Sequence, residues 1–198
     1  VAIRRKEAEK AAKMIGAKYV NLGLRDGSIE YNLENVKKLV KLIREVSPHV
    51  IFTHPTEDYM TDHWHTGRLV LWSIPESRHK NFEADTDAPA LEHQPNVYHT
   101  DPQGLTFSDG QIARANTIVD ISDVIEEKLA AFSAHESQMD FLSHKDKPDA
   151  AEKTRRWAII RGEQVRIPYG EGFSQQLYAE YPRSNILVEK LPGKVYTL

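Results

Sequence analysis

Between His54 and His65 the chain reads His-Pro-Thr-Glu-Asp-Tyr-Met-Thr-Asp-His-Trp-His, six side chains of metal-ligand type within twelve residues. Imidazole and carboxylate together suit zinc or a similar divalent cation. The chain has no cysteine, so any metal must sit on His, Asp or Glu. No closed motif of the H-E-x-x-H kind is present, and a hydrophilic loop with Asp62 set against a helix dipole is the plain alternative. Asp62 and His63 stand where a helix should open. His65, two positions on, should point elsewhere and reads as a surface residue. His54 either faces the same cleft or hydrogen-bonds to the backbone.

The elements that must position this cluster follow from periodicity. Ile3, Ala8, Ala12 and Ile15 recur at helical spacing, with Gly16 where a C-terminal cap belongs. Tyr19 to Leu24 alternates as a strand would and runs into the turn Arg25-Asp26-Gly27-Ser28. Asn32 is an N-cap for a helix whose face is Leu33, Val36, Leu39, Val40, Ile43 and Val46, stopped at Ser47-Pro48. Val50 to Thr53 is a short apolar run of the kind buried on both faces of a parallel sheet. Strand, helix and strand make a right-handed βαβ unit, and the His54 loop then leaves the carboxyl end of a strand, where open α/β sheets bind ligands.

A further helix is expected over Asp62 to Ile74, burying Trp64, Leu71 and Ile74 or their neighbours. Pro75 to Ala115 reads as a long surface excursion or lid with one strand near Val97 to His99. Thr117 to Ile121 is a strand. Ile121, Ile125, Leu129 and Phe132 mark a helix capped by Asp120 or Ser122, and helices are expected over Ala134 to Leu142 and Pro148 to Arg161. The pattern predicts one α/β domain over 1–198 built on βαβ units.

The 26 basic and 29 acidic residues, net charge −3, are spread along the 198 residues, so no basic stripe exists for nucleic acid. Apolar stretches fall far short of the roughly 20 residues of a membrane span. Cysteine-free composition fits a reducing cytoplasm most easily.

Asp58-Tyr59-Met60-Thr61-Asp62-His63, followed by Thr66-Gly67-Arg68, resembles the second metal motif of the PIG-L/LmbE de-N-acetylases, D-Y-x-x-D-H running into a helix. Arg4-x-x-Glu7 with Leu22-Gly23-x-x-Asp26-Gly27 resembles the helix and strand that follow the family's first motif. Val119 to Ser122, Lys128, Ala134-His135-x-Ser137-Gln138 and Tyr169-Gly-Glu171-Gly-Phe173 resemble its second half. The resemblance implies an α/β, Rossmann-like three-layer sandwich with a mostly parallel sheet, and zinc-dependent removal of an N-acetyl group from a small amino-sugar substrate by a homo-oligomer. It makes His63 a metal ligand and Asp62 a neighbouring acidic residue in catalysis. Arg4, Asp26 and Asp58 become substrate contacts.

The family's first motif, H-P-D-D-E, does not occur in this sequence. The chain is therefore expected to be an N-terminally incomplete form of a longer enzyme, or else a metal-free pseudoenzyme. Many relatives carry histidine at the position of Met60, and Met cannot donate a hydrogen bond to an oxyanion. Tyr59, His54 and His135 are the candidates for that role, or the branch runs as a hydratase or hydrolase on another small polar acid. His135 also reads simply as a helix-terminal histidine, and Glu171 as a glycine-flanked turn.

Overall fold

The computed structural model describes residues 2–142 and 149–198, and shows a mixed α/β architecture with one five-stranded sheet. The elements are α1 (Ala2–Met14), α2 (Leu33–Val46), β1 (Val50–Thr53), α3 (Thr61–Arg78), β2 (Asn96–Thr100), β3 (Thr117–Asp120), α4 (Ile125–Ser133), α5 (Glu136–Leu142), α6 (Ala150–Glu163), β4 (Gly170–Gln175), α7 (Ile186–Lys190) and β5 (Val195–Thr197), with a 3-10 turn at Gln103–Leu105. Strand order is β1-β2-β4-β3-β5, and β1 is an edge. β1 runs parallel to β2, Val50 opposite Asn96 and Thr53 opposite His99, whereas β2 and β4 are antiparallel. The chain clusters into two compact units, Val1–Asn21 with Ile118–Glu171, and Leu22–Thr117 with Gly172–Leu198.

In the second unit, α2 forms as its sequence demands. The Asn32 side chain accepts the Asn35 N–H at 2.9 Å, and Val36, Val40 and Ile43 are buried. Val36 and Val40 pack on Leu69 of α3, while Ile43 joins Val70, Ile74, Leu91 and Val97. α3 outruns the expected Ile74 and continues through Pro75 to Arg78. Its buried face is Gly67, Leu69, Val70, Ser73, Ile74 and Ser77, so Trp64 and Leu71 are only half-buried. Arg44, itself buried, reaches from α2 and donates to the carbonyls of Ser77 (3.2 Å) and His79 (2.8 Å) at the α3 C-terminus.

Two expectations need correction here. Tyr19 to Leu24 forms no strand, because an alternating segment becomes a strand only when a ladder partner meets it, and none of the five strands pairs there. The span 75–115 is not one excursion: Asn96–Thr100 lies between β1 and β4, with all but its last residue buried. The segments on either side also reach inward, with Leu91 and Leu105 buried.

In the first unit, Ile121, Ile125, Leu129 and Ala158 form the core between α4 and α6. α4 starts without a side-chain cap, and Asp120 instead accepts the Ser122 N–H at 2.9 Å. α6 is capped by Asp149, whose side chain accepts the Ala151 N–H; Pro148, the expected start, lies outside the described residues. α1 has no buried residue, and Ile3 and Ile15 are exposed. Polar links tie it to α5: Glu7 accepts from Ser137 N–H (2.8 Å) and Oγ (2.7 Å), Lys10 pairs with Glu136, and Arg4 donates to Gln138.

Candidate active site

The His54 loop leaves the carboxyl end of β1 and returns into α3 at Thr61. Gly67 lets α3 approach that loop closely, since a Cβ there would lie 2.5 Å from the His54 carbonyl oxygen and 2.7 Å from that of Pro55. The His99 ring, 2.9 Å from the same His54 oxygen through Nδ1, grips the loop from β2. Backbone position at His54 is thus set by a missing side chain on one element and a buried imidazole on another.

On this support the His54 and His63 rings stack face to face, centroids 4.3 Å apart and 6° from parallel. Asp58 lies behind them with its side chain 1% exposed, Oδ2 being 3.2 Å from His63 Nδ1. Its Oδ1 accepts the Met60 N–H at 2.9 Å and so shapes the turn into α3. Burial, and then the neighbouring His63, hold the His54 imidazole below the ordinary histidine range, against a smaller opposing pull from Asp58. Its environment therefore favours the neutral form of His54.

Asp62 spends both carboxylate oxygens on the loop before α2, accepting from Gly27 N–H (2.6 Å) and Ile29 N–H (3.0 Å). His65 adds a contact from Nδ1 to the Ile29 carbonyl and is half-buried rather than on the surface. The loop so held contains the exposed Asp26, within a turn closed by Ser28 N–H to Arg25 O and permitted by the left-handed φ of +78° at Gly27. Tyr59, 61% exposed, donates to Gln103 Oε1 at 2.6 Å. Met60 sits beside it at the start of α3 with no side-chain cap.

Of the expected site residues, Asp26, Asp58, Tyr59, Asp62 and His63 fall in the second unit, and Arg4 and His135 in the first. Asp58, expected as a substrate contact, is buried beneath His63 and faces that ring instead, because its Asx turn draws the carboxylate inward. His135 bridges the end of α4 and the start of α5, its carbonyl accepting from Gln138 and Met139 N–H. Glu171 pairs with Lys128 at 2.6 Å. His65, Gly67 and His99 were not legible as site-forming residues, since the partner of each is a main-chain atom distant in sequence.

Among the described residues no group of three or more His, Cys, Asp or Glu is disposed to hold a metal ion. A catalytic zinc takes three protein ligands and an open position. His63 with a carboxylate behind it fits one corner of such a site. The near-parallel stacking keeps the in-plane lone pairs of His54 and His63 from converging on one ion. The donors among the described residues do not make a complete zinc site.

The fold and this cluster define an α/β protein with a paired Asp and His at a strand's carboxyl end. The model of the PIG-L family, GlcNAc-PI de-N-acetylase, matches residues 1–74. Diacetylchitobiose deacetylase of Thermococcus kodakarensis is 33% identical over 144 residues, covering 70% of this chain, and the chain spans about half (51%) of that curated relative. The structure of N,N'-diacetylchitobiose deacetylase from Pyrococcus horikoshii superposes with a TM-score of 0.72 at 30% identity, covering 92% of this chain and 67% of the other. The chain belongs to the PIG-L de-N-acetylase family. The 4-carboxy-2-hydroxymuconate hydratase of Pseudomonas putida KT2440 has the same fold, with a TM-score of 0.74 at 22% identity over 93% of this chain and 73% of its own. Among the described residues no helix is long and apolar enough to cross a membrane.

Proposed function

We propose that this chain carries part of a zinc-dependent de-N-acetylase that hydrolyses the acetamide of a small N-acetylated amino sugar, with His63 as one zinc ligand. The observation that carries the reading is the Asp58–His63 segment itself. It brings a buried carboxylate and a stacked imidazole to the carboxyl end of β1, in a chain 30% identical to a chitobiose deacetylase. The remaining ligands are not among the described residues. Asp62 and His65 contribute by holding the Asp26 turn against α3, and Arg4, Tyr59 and His135 remain candidates for substrate or oxyanion contact. The proposed assembly is a homo-oligomer in the cytoplasm.

The test is acetate release from N-acetylglucosamine and N,N'-diacetylchitobiose, with zinc and with a chelator, for the full natural protein and its His63→Ala variant. Zinc-stimulated release lost in the variant supports the reading. Stoichiometric zinc with no acetate from either sugar would sink it. A second reading, hydration or hydrolysis of another small polar acid, draws support from Met60, which offers no donor to an oxyanion.

A further inference from the structure

Among the described residues two side-chain atoms near the site, Thr53 Oγ1 and Asp58 Oδ2, are buried without a hydrogen-bond partner. For Asp58 Oδ2 this holds although His63 Nδ1 lies only 3.2 Å away. The distance suits a hydrogen bond from a protonated Nδ1. Leaving a buried carboxylate oxygen without a donor is costly, and His63 Nδ1 stands within donor distance of it. The other oxygen is committed to the Met60 N–H.

The two side chains also differ in access. The Asp58 side chain is 1% exposed and that of His63 28% exposed, so the open edge of the imidazole is the one away from Asp58. His54 lies flat against the ring and offers no in-plane hydrogen bond to either nitrogen. Among the described residues only Asp58 is placed to choose which nitrogen carries the proton.

We infer that Asp58 is a positioning residue: its buried Oδ2 holds neutral His63 as the Nδ1–H tautomer, leaving Nε2 as the lone-pair nitrogen on the open edge. A carboxylate behind an imidazole orients the ring and raises the basicity of its free nitrogen, whether that nitrogen meets a cation or a proton. The inference deepens the reading of His63 above and rests on it only for what binds at Nε2.

The test is a long-range proton–nitrogen correlation spectrum of the nitrogen-labelled chain at pH ~8, above the ordinary histidine range of about 6.5. His63 is expected with Nδ1 protonated and Nε2 bare. Asp58→Asn keeps one oxygen for the Met60 amide and turns an NH2 donor toward Nδ1, so the tautomer should reverse to Nε2–H while the Met60 amide signal stays in place. Asp58→Ala should lose the Nδ1–H preference. A wild-type His63 with bare Nδ1, or an Asp58→Asn variant with an unchanged tautomer, would overturn the inference, and the wild-type spectrum alone decides it if the variants fail to fold. Zinc added to the full natural protein, labelled in the same way, separates the two readings. Where zinc binds, Asp58→Asn should weaken it by about 10–100-fold. In the full natural protein, the stated tautomer with no zinc-induced shift at His63 would remove the metal reading and leave the positioning role standing.

Discussion

Tyr181 donates its phenolic hydrogen to the main-chain oxygen of Leu71 at 3.3 Å, and Leu71 stands four residues ahead of Pro75 inside α3. Proline has no N–H, so that carbonyl would otherwise lack its helical partner. The contact explains how α3 passes through a proline without ending there.

Replacing Tyr181 by Phe should cost on the order of 1 kcal/mol, the worth of one neutral hydrogen bond, with its packing on the Ile43, Ile74 and Val97 cluster retained. Burial pushes the Tyr181 hydroxyl up to about 12. An unfolded tyrosine ionises near pH ~10, so its contribution is complete below that value and is lost as pH rises toward about 12. Urea midpoints measured across this alkaline range should converge for the wild type and Tyr181→Phe, and parallel curves would refute the assignment.

Gly67→Ala should destabilise the protein even though alanine is the better helix former. The propensity gain is about 1 kcal/mol. Against it stands a Cβ placed 2.5 Å from one backbone oxygen and 2.7 Å from another, neither of which can rotate away. Overpacking of this kind costs about 1–3 kcal/mol. The expected outcome is a lowered denaturation midpoint together with shifted His54 and His63 ring signals, and a variant as stable as the wild type with unmoved rings would show that the close approach is not needed.

Asp62→Asn leaves one acceptor oxygen for two amides, Gly27 and Ile29. Hydrogen exchange at one of them should rise by about 10-fold or more, since losing a bond to a charged acceptor costs on the order of 1.5–3 kcal/mol. If the reaction proposed here is measurable, the variant should raise KM more than it lowers kcat. A collapse of kcat with unchanged exchange at both amides would instead make Asp62 a participant in the chemistry.

Glu7→Gln tests the link between α1 and α5. The side-chain and backbone hydrogen bonds from Ser137 hold the Glu7 carboxyl below its ordinary value of 4.5. The contribution is therefore present above that value and is lost as pH falls through the lower folded value. Faster exchange of the Ser137 amide is expected in the wild type under acid and in the variant at all pH values. Equal exchange in both proteins near neutrality would show that the carboxylate does not cap α5.

Local rules settled the parts of this chain whose hydrogen bonds close within a few residues. Asn32 caps α2, Val36, Val40 and Ile43 recur at helical spacing, and Val50 to Thr53 is apolar enough to be a strand, all readable because period and cap are local properties. The placement of Asp62 and His63 at the head of α3 was equally legible. Tertiary structure decided what those residues touch. Tyr19 to Leu24 has a strand's alternation but no neighbour to pair with. Asp62 finds its amide partners 35 and 33 residues away, and His65 finds Ile29 at a separation of 36. Asp58 turns inward toward His63 rather than outward toward a ligand. Sequence by itself determined the family, the helices and the kind of side chain delivered to the end of β1. Which carboxylate supports an imidazole and which ties down a loop depended on contacts between distant segments, and no local spacing encodes those.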